Sequence, residues 1–196
     1  IFIDDDGRIF LYSGFAPRKD DREGFVKRGL SALGGYGMEL EPDMQTIKRG
    51  PMLLIPRQGD ADGSAFEGHE FYEASSMRKI GGRYYLIYSS INSHDLCYAT
   101  GDAPDGPFAY GGVLVSNMDI FSDERKGRRP TNYGGNTHGS IACVCGQWYV
   151  FYHRQTNLHQ FSRQACAEPI DFDGNGHIRQ VETSSCGLNG GPLRGK

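Results

Sequence analysis

The sequence lacks the features of several common protein classes. No apolar run approaches the 18 residues of a membrane-spanning helix, and no stretch shows convincing amphipathic helical spacing. The formal net charge is only -3, and no basic stripe carries interleaved aromatic residues. We therefore expect neither a membrane nor a nucleic acid as a partner. The chain begins at Ile1, inside a strand-like run and without Met, so we expect that this is not the native start.

Cysteine is scarce and irregularly spaced. The count is odd and the spacing fits no zinc pattern. So few cysteines in a chain of 196 residues also make a disulfide framework improbable, so we predict buried thiols. On a strand, Cys143 and Cys145 would point to the same face. The five residues are Cys97, Cys143, Cys145, Cys166 and Cys186.

Glycine and aromatic residues are abundant instead. The chain has 28 glycines, and aromatic residues make up 12% of it, largely Tyr and Phe within β-rich runs. This composition is typical of a turn-rich β protein. The only tryptophan, Trp148, lies in the middle of a predicted strand, and we expect it to pack in the core or between sheets.

One unit occurs three times along the chain. Each copy is an apolar strand, a turn that ends in glycine, one polar residue and a second strand rich in aromatic and branched residues. The turn glycines are Gly7, Gly82 and Gly146. The copies are IFIDDDGRIFLYSG (1–14), SSMRKIGGRYYLIYSS (75–90) and GSIACVCGQWYVFYHR (139–154).

Two further short strands follow each hairpin. They are least clear in the first unit, at 36–40 and 50–55. The others are predicted at 95–100, 108–115, 163–170 and 177–182. Four antiparallel strands per unit, repeated about every 65–75 residues, predict an all-β propeller with three blades present. A β-sandwich or barrel is the alternative.

We place the propeller domain at 1–183 and regard it as incomplete at its N-terminal side. The blades span about 1–66, 67–116 and 133–183, and the Gly-rich tail 184–196 is predicted to be a linker or a cut segment. Because the innermost strand of each blade lines the central channel, residues at its entrance converge. Glu73 and His138 occupy that position in the second and third units. The matching position of the first unit would precede Ile1.

Four stretches together resemble glycoside hydrolase family 43, in order and over nearly the whole chain. They are FYEASSMRKIGGRYYLIYSS, SHDLCYATGDAPDGPF, GGNTHGSI and the opening IFIDDDG. The resemblance implies a five-bladed β-propeller and hydrolysis with inversion at the anomeric carbon. It assigns Glu73 as the general acid and His138 to the channel, where His138 would contact the substrate or, as in many members, help hold a central calcium ion. The general base and the Asp that tunes the acid's pKa are implied to lie outside this chain.

The sequence gives weaker support for functional roles of other polar residues. Arg154 and His153 follow the third hairpin, and a guanidinium suits sugar hydroxyls or a carboxylate, so both are candidate substrate-binding residues. A surface salt bridge is the alternative for Arg154, and a backbone-bonded turn histidine is the alternative for His138. We expect Glu67, His69 and Glu70 to form a loop rim.

Two acidic stretches look like metal sites. Asp4–Asp6 are expected to form a solvated turn. The segment 171–182 fits the EF-hand loop pattern but lacks helical flanks, so we predict a hairpin turn. Looser calcium binding there remains an alternative.

These expectations add up to a glycosidase. It would remove terminal or branch pentoses, as α-L-arabinofuranosides or β-D-xylosides, from plant cell-wall polysaccharides. The chemistry would need no cofactor, with Ca²⁺ as a structural component at most, and the substrate class implies a secreted or periplasmic protein. The alternatives are a non-catalytic carbohydrate-binding propeller and a structural or protein-interaction propeller.

Overall fold

Three antiparallel sheets follow one another along the chain in a computed structural model. It describes residues 1–92, 94–118, 129, 134–135, 137–155, 159, 161–184 and 187–189. The first sheet contains β1 (Phe2–Ile3), β2 (Ile9–Gly14), β3 (Gly35–Leu40) and β4 (Ile47–Ile55), in that spatial order. The second contains β5 (Phe71–Ile80), β6 (Arg83–Ser90), β7 (Asp95–Gly101) and β8 (Ala109–Ser116). The third contains β9 (Gly139–Val144), β10 (Gln147–Gln155) and β11 (Arg163–Ile170).

The hairpin turns confirm that the three units are equivalent. Gly7, Gly82 and Gly146 all have a φ of +84°, in the left-handed region that favours glycine. In the first turn, the Gly7 amide donates to the Asp4 carbonyl at 2.9 Å. Each glycine therefore closes the hairpin between the first two strands of its sheet.

The second sheet is packed between the other two. Alternate residues of β6 point to opposite faces, and both faces are buried. Tyr84, Leu86 and Tyr88 join the core shared with the first sheet, which includes Phe10. Residues of opposite parity, such as Ile87, join the core shared with the third sheet. Trp148 packs beside this second core, as predicted, with its ring edge-on to Phe172 at 5.8 Å.

The predicted fourth strand of the third unit, 177–182, is not formed. The segment makes only two isolated β-bridges, one of them between Val181 and Val115 of β8. The amide of Ile178 donates to the Tyr98 hydroxyl at 2.9 Å, and the amide of Val181 donates to the Leu114 carbonyl at 2.9 Å. The segment therefore crosses to the second sheet, because its backbone finds partners there.

The EF-hand-like segment forms the predicted turn. Phe172 and Ile178 form an antiparallel bridge across it. The Asp173 carboxylate accepts the backbone amides of Asn175 and His177, each at 2.8 Å. The acidic side chain therefore stabilises the turn itself.

Two short helical segments were not predicted. The helix α1 (Arg22–Lys27) contains no buried residue, and a 3₁₀ turn spans Gly187–Asn189. No helix in the described part of the chain has the length and apolar character needed to cross a bilayer. The remainder of the predicted tail, at 185–186 and 190–196, lies outside the described residues, and the predicted domain limits stay predictions.

The prediction of buried thiols is right for Cys97 and wrong for two others. Cys143 and Cys145 are exposed, while Cys166 is half-buried. Cys145 lies in the turn with a φ of +50°, so the two exposed cysteines do not share a strand face. Cys186 lies outside the described residues.

Asp4 is buried, which corrects the prediction of a fully solvated turn. Asp5 and Asp6 are exposed, but Asp4 is only 5% exposed. Its carboxylate accepts hydrogen bonds from Lys79 at 2.8 Å and from the Tyr84 hydroxyl at 2.6 Å. Burial alone would raise the pKa of Asp4, but these hydrogen bonds outweigh it and hold the pKa below its ordinary value. Asp4 therefore ties the first hairpin to the second sheet.

We predict that Tyr84→Phe lowers the free energy of unfolding by about 1–2 kcal/mol, because a hydrogen bond to a buried carboxylate is lost. Chemical denaturation at neutral pH would measure the change.

Since the pKa of Asp4 is depressed in the folded chain, the carboxylate stabilises the fold above its ordinary pKa. This stabilisation is lost as the pH falls through the folded-state pKa.

The matched control is Tyr149→Phe, on the half-buried face of β10, with an expected change within about 0.5 kcal/mol. Equal losses from both variants would contradict the role given to the Asp4 contact.

Candidate active site

Glu73 lies at a distortion in β5. Strand pairing with β6 shifts register on both sides of Glu73, between Phe71 and Glu73 and again before Ser76. The next residue, Ala74, has a φ of +60°, which is unusual for a residue with a β-carbon. Such bulges redirect side chains and often occur near functional sites. The distortion therefore sets the direction of the Glu73 carboxylate.

Glu73 and His138 meet, as the sequence predicts. The Nε2 atom of His138 lies 2.9 Å from Oε1 of Glu73, and each side chain is a little over one-third exposed. His138 immediately precedes β9, so the contact joins the starts of the inner strands of two sheets.

Two further contacts, further along the strands than this pair, align β5 with β9. The hydroxyls of Ser76 and Ser140 lie 2.8 Å apart. The Arg78 guanidinium donates to the Ile141 carbonyl at 2.9 Å. The two inner strands are therefore fixed side by side, and the Glu73–His138 contact stands at their shared end.

The loop before β9 is anchored to the second sheet. Thr137 is buried, and its carbonyl accepts a hydrogen bond from the Ser89 hydroxyl. The Asn117 side chain donates to the carbonyl of His153 at 3.1 Å and to that of Gly135 at 3.3 Å. These bonds fix the backbone beside both histidines.

His153 lies beside the pair. The ring centroids of His138 and His153 are 5.4 Å apart, with the rings nearly perpendicular. Arg154 lies near the β10–β11 side of the third sheet. Burial raises the pKa of the Cys166 thiol there, and the charge of Arg154 partly opposes that rise. Substrate-binding roles for His138, His153 and Arg154 stay predictions.

Arg163 is a charged neighbour of Glu73 that the sequence analysis missed. It is the first residue of β11, and its charge helps lower the pKa of Glu73. The convergence argument concerned the starts of the inner strands alone. Extending the same argument to the start of the third strand in each sheet would have found it.

The pKa of Glu73 lies below its ordinary value. The hydrogen bond from His138 is the largest cause, burial opposes it, and the charges of His138 and Arg163 lower the pKa further. In this chain Glu73 is therefore ionised at neutral pH and forms an ion pair whenever His138 is protonated.

The residues of the predicted rim, Glu67, His69 and Glu70, differ in their exposure. Glu67 is exposed, but Glu70 is buried at 4% exposure, which corrects its placement on a rim. The His69 ring stacks on Tyr110 at 4.6 Å, so it is packed inward as well.

The residues around His138 do not make a calcium site by themselves. Calcium takes six to eight oxygen ligands. Around His138 the described side chains provide a second imidazole and one carboxylate. Across the described part of the chain, no group of three His, Cys, Asp or Glu side chains is placed to hold a metal. The metal role of His138 therefore has no support from these residues.

Comparison with known proteins gives a consistent result. A xylosidase/arabinosidase of Thermoclostridium stercorarium is 47% identical over 96% of this chain and 38% of its own length. A beta-xylosidase of Xylanibacter ruminicola is 30% identical over 93% of this chain and 57% of its own length. The chain thus spans roughly two-fifths to three-fifths of these curated relatives.

A solved structure shares the fold. It is described as a beta-xylosidase/alpha-arabinofuranosidase from a compost microbial metagenome, in complex with xylotriose and in a calcium-free form. It is 27% identical with a TM-score of 0.67, covering 92% of this chain and 56% of that one. The three sheets are thus part of a β-propeller, as the sequence predicts. The model of the glycosyl hydrolases family 43 matches residues 1–178, and the chain belongs to that family.

Proposed function

We propose that this chain carries the general acid, Glu73, of a glycosidase that hydrolyses pentosides with inversion. The contact between Glu73 and His138 is the observation that carries the proposal, because it brings a carboxylate to the shared end of two inner strands. The carboxylate is partly exposed, so a sugar has access to it.

The reaction divides between two carboxyl groups. Glu73, when protonated, gives its proton to the glycosidic oxygen as the bond to the anomeric carbon breaks. A carboxylate on the far side takes a proton from water, whose oxygen forms the new bond to that carbon. Inversion needs a separation of roughly 6.5–9.5 Å between the two carboxyl groups, which leaves room for the water. No metal or organic cofactor is needed for these steps.

The lowered pKa of Glu73 means that this chain alone does not provide an environment in which a general acid keeps its proton. An acid must hold its proton near neutral pH, whereas His138 and Arg163 favour the ionised form. A further carboxylate beside Glu73 would raise its pKa, because two neighbouring anions repel. The family resemblance implies such an Asp just before the FIDDDG run. We propose that this residue, with the general base, completes the site.

The substrate is proposed from chemistry and from relatives. The two relatives described above bear the names xylosidase/arabinosidase and beta-xylosidase, and others are named arabinoxylan arabinofuranohydrolase. We propose terminal or branch α-L-arabinofuranose or β-D-xylose on plant cell-wall polysaccharides. Polymers of this size do not enter cells intact, so we also propose a secreted or periplasmic location.

A non-catalytic carbohydrate-binding propeller is the second candidate. The observation in its favour is the ionisation of Glu73, which in this chain is suited to accept hydrogen bonds from sugar hydroxyls rather than to donate a proton. It predicts sugar binding without turnover, even when the remaining blades are present.

The first prediction from the proposed function concerns Glu73→Gln in a protein that combines this chain with the remaining blades. Hydrolysis of aryl pentosides with poor leaving groups should fall about 10²–10⁴-fold, because general acid catalysis is lost. Activated aryl pentosides should be affected far less. Steady-state kcat/KM across a leaving-group series would measure the difference.

Glu67→Gln is the matched control, since Glu67 is exposed six positions earlier in the chain. It should leave the whole series unchanged. Equal loss of activity on substrates with good and poor leaving groups in Glu73→Gln would contradict the assignment of Glu73 as the general acid. An inactive wild type would favour the non-catalytic carbohydrate-binding propeller.

The second prediction concerns His138→Ala in this chain. The pKa of Glu73 should rise, because the hydrogen bond from His138 is the largest cause of its lowering and burial then dominates. Titration of the Glu73 carboxyl carbon by NMR would measure the shift.

The lowered pKa of Glu73 also determines how its contribution to the stability of the fold changes with pH. In the wild type, Glu73 stabilises the fold above its ordinary pKa, and this contribution is lost as the pH falls through the lower folded-state value. His138→Ala should remove this pH-dependent contribution to stability. His177→Ala, at an exposed position in the 173–177 turn, should leave it unchanged. An unchanged Glu73 pKa in His138→Ala would contradict the described contact.

The third prediction is that the purified 196-residue chain shows no turnover. It lacks the proposed base, and Glu73 is ionised in it. A sensitive fluorogenic pentoside assay would test this. Turnover that Glu73→Gln abolishes would show that another carboxylate of this chain acts as the base.

A further inference from the structure

Two cavities adjoin each other at the end of the sheets opposite to Glu73. Their volumes are about 480 Å³ and 330 Å³. Each falls within the roughly 300–1,000 Å³ of typical small-molecule sites. Phe172 lines both, so its side chain forms their common wall.

Their position separates them from the proposed active site. The smaller cavity is lined by Ile80 and Arg83, at the turn between β5 and β6. Glu73 lies seven residues before Ile80 on the same strand, which at about 3.3 Å per residue places the two about 23 Å apart. A ligand in these cavities therefore does not contact the Glu73 carboxylate.

The walls are held in place by contacts between the second and third sheets. The Tyr85 hydroxyl donates to the Gly176 carbonyl at 2.8 Å, and Arg83 donates to the Asn175 carbonyl at 2.6 Å. The Phe172 ring is fixed by edge contacts with Trp148 at 5.8 Å and with Tyr85 at 5.7 Å. The cavities are thus formed before any ligand binds, which lowers the entropy cost of binding.

The polar groups in the walls suit a neutral ligand rich in hydroxyls. Two arginines, Arg83 and Arg179, are balanced by Asp171 and Asp173, so the lining has no net charge to attract a polyanion. Asp171 and Arg179 are exposed in the wall, so the guanidinium can donate to sugar hydroxyls and the carboxylate can accept from them.

We propose that this region is a second, non-catalytic binding site for a xylan-type oligosaccharide. An aromatic wall beside planar polar side chains offers an apolar surface to the sugar ring and hydrogen bonds to its hydroxyls. The choice of a pentose polymer rests on the proposed function. Such a site holds the polysaccharide to the protein while Glu73 acts on another part of it.

The test uses the Glu73→Gln variant of this chain, which excludes any residual hydrolysis during the titration. Xylohexaose binding would be followed by NMR shift changes in this chain. Asp171→Ala with Arg179→Ala should weaken binding about tenfold or more, because two charged hydrogen-bonding groups are removed. Both side chains are exposed, so the fold should persist.

Glu23→Ala with Lys27→Ala is the matched control, because it removes one exposed acid and one exposed base from α1. It should leave the affinity unchanged. Phe172→Leu is a third variant, which keeps an apolar side chain but removes the aromatic wall, and it should also weaken binding.

The outcomes separate this inference from the proposed function. Shift changes around Phe172 that disappear in Asp171→Ala with Arg179→Ala would support it. Shift changes confined to residues around Glu73 and Arg163 would overturn it and leave the proposed function standing. No binding by a chain whose full-length form hydrolyses pentosides through Glu73 would overturn it as well.

Discussion

The burial of the second sheet on both faces is the constraint on which the rest of the structure depends. Alternate residues of β6 enter two separate cores, so neither neighbouring sheet can shift without opening one of them. Protein cores are close-packed and resist such sliding. This packing fixes β5 beside β9 and brings Glu73 within 2.9 Å of His138. It also forms the walls of the cavities at the opposite end.

The two ends of the second sheet thus have different chemistry. At one end, a bulge and a left-handed Ala74 direct a partly exposed carboxylate toward a histidine. At the other, a glycine turn meets a hairpin fixed by Tyr85 and Arg83. The low pKa of Glu73 is a property of these three sheets. A role as proton donor would need an influence that raises this pKa, such as a neighbouring anion or stronger burial.

Much of the fold follows from local sequence rules. The turn glycines and strand alternation predict most strands, because positive φ and two-residue periodicity are local properties. The convergence of Glu73 and His138 follows from placing the repeats in a propeller. The errors concern long-range partners. Burial of Asp4 depends on Lys79 and Tyr84, more than 70 residues away, and the fate of 177–182 depends on free backbone groups of the second sheet. Arg163 was missed because its charge reaches Glu73 from the start of a third strand, whereas the convergence argument concerned the inner strands.

The most direct measurement is a crystal structure of Glu73→Gln, in a protein with all of its blades, bound to a xylo- or arabinoxylo-oligosaccharide. We expect a glycosidic oxygen about 2.6–3.2 Å from the side chain at position 73, the reach of a proton donor. We also expect His138 and Arg163 at the same site. A sugar bound with every glycosidic oxygen away from position 73 would contradict the role of Glu73 as the general acid.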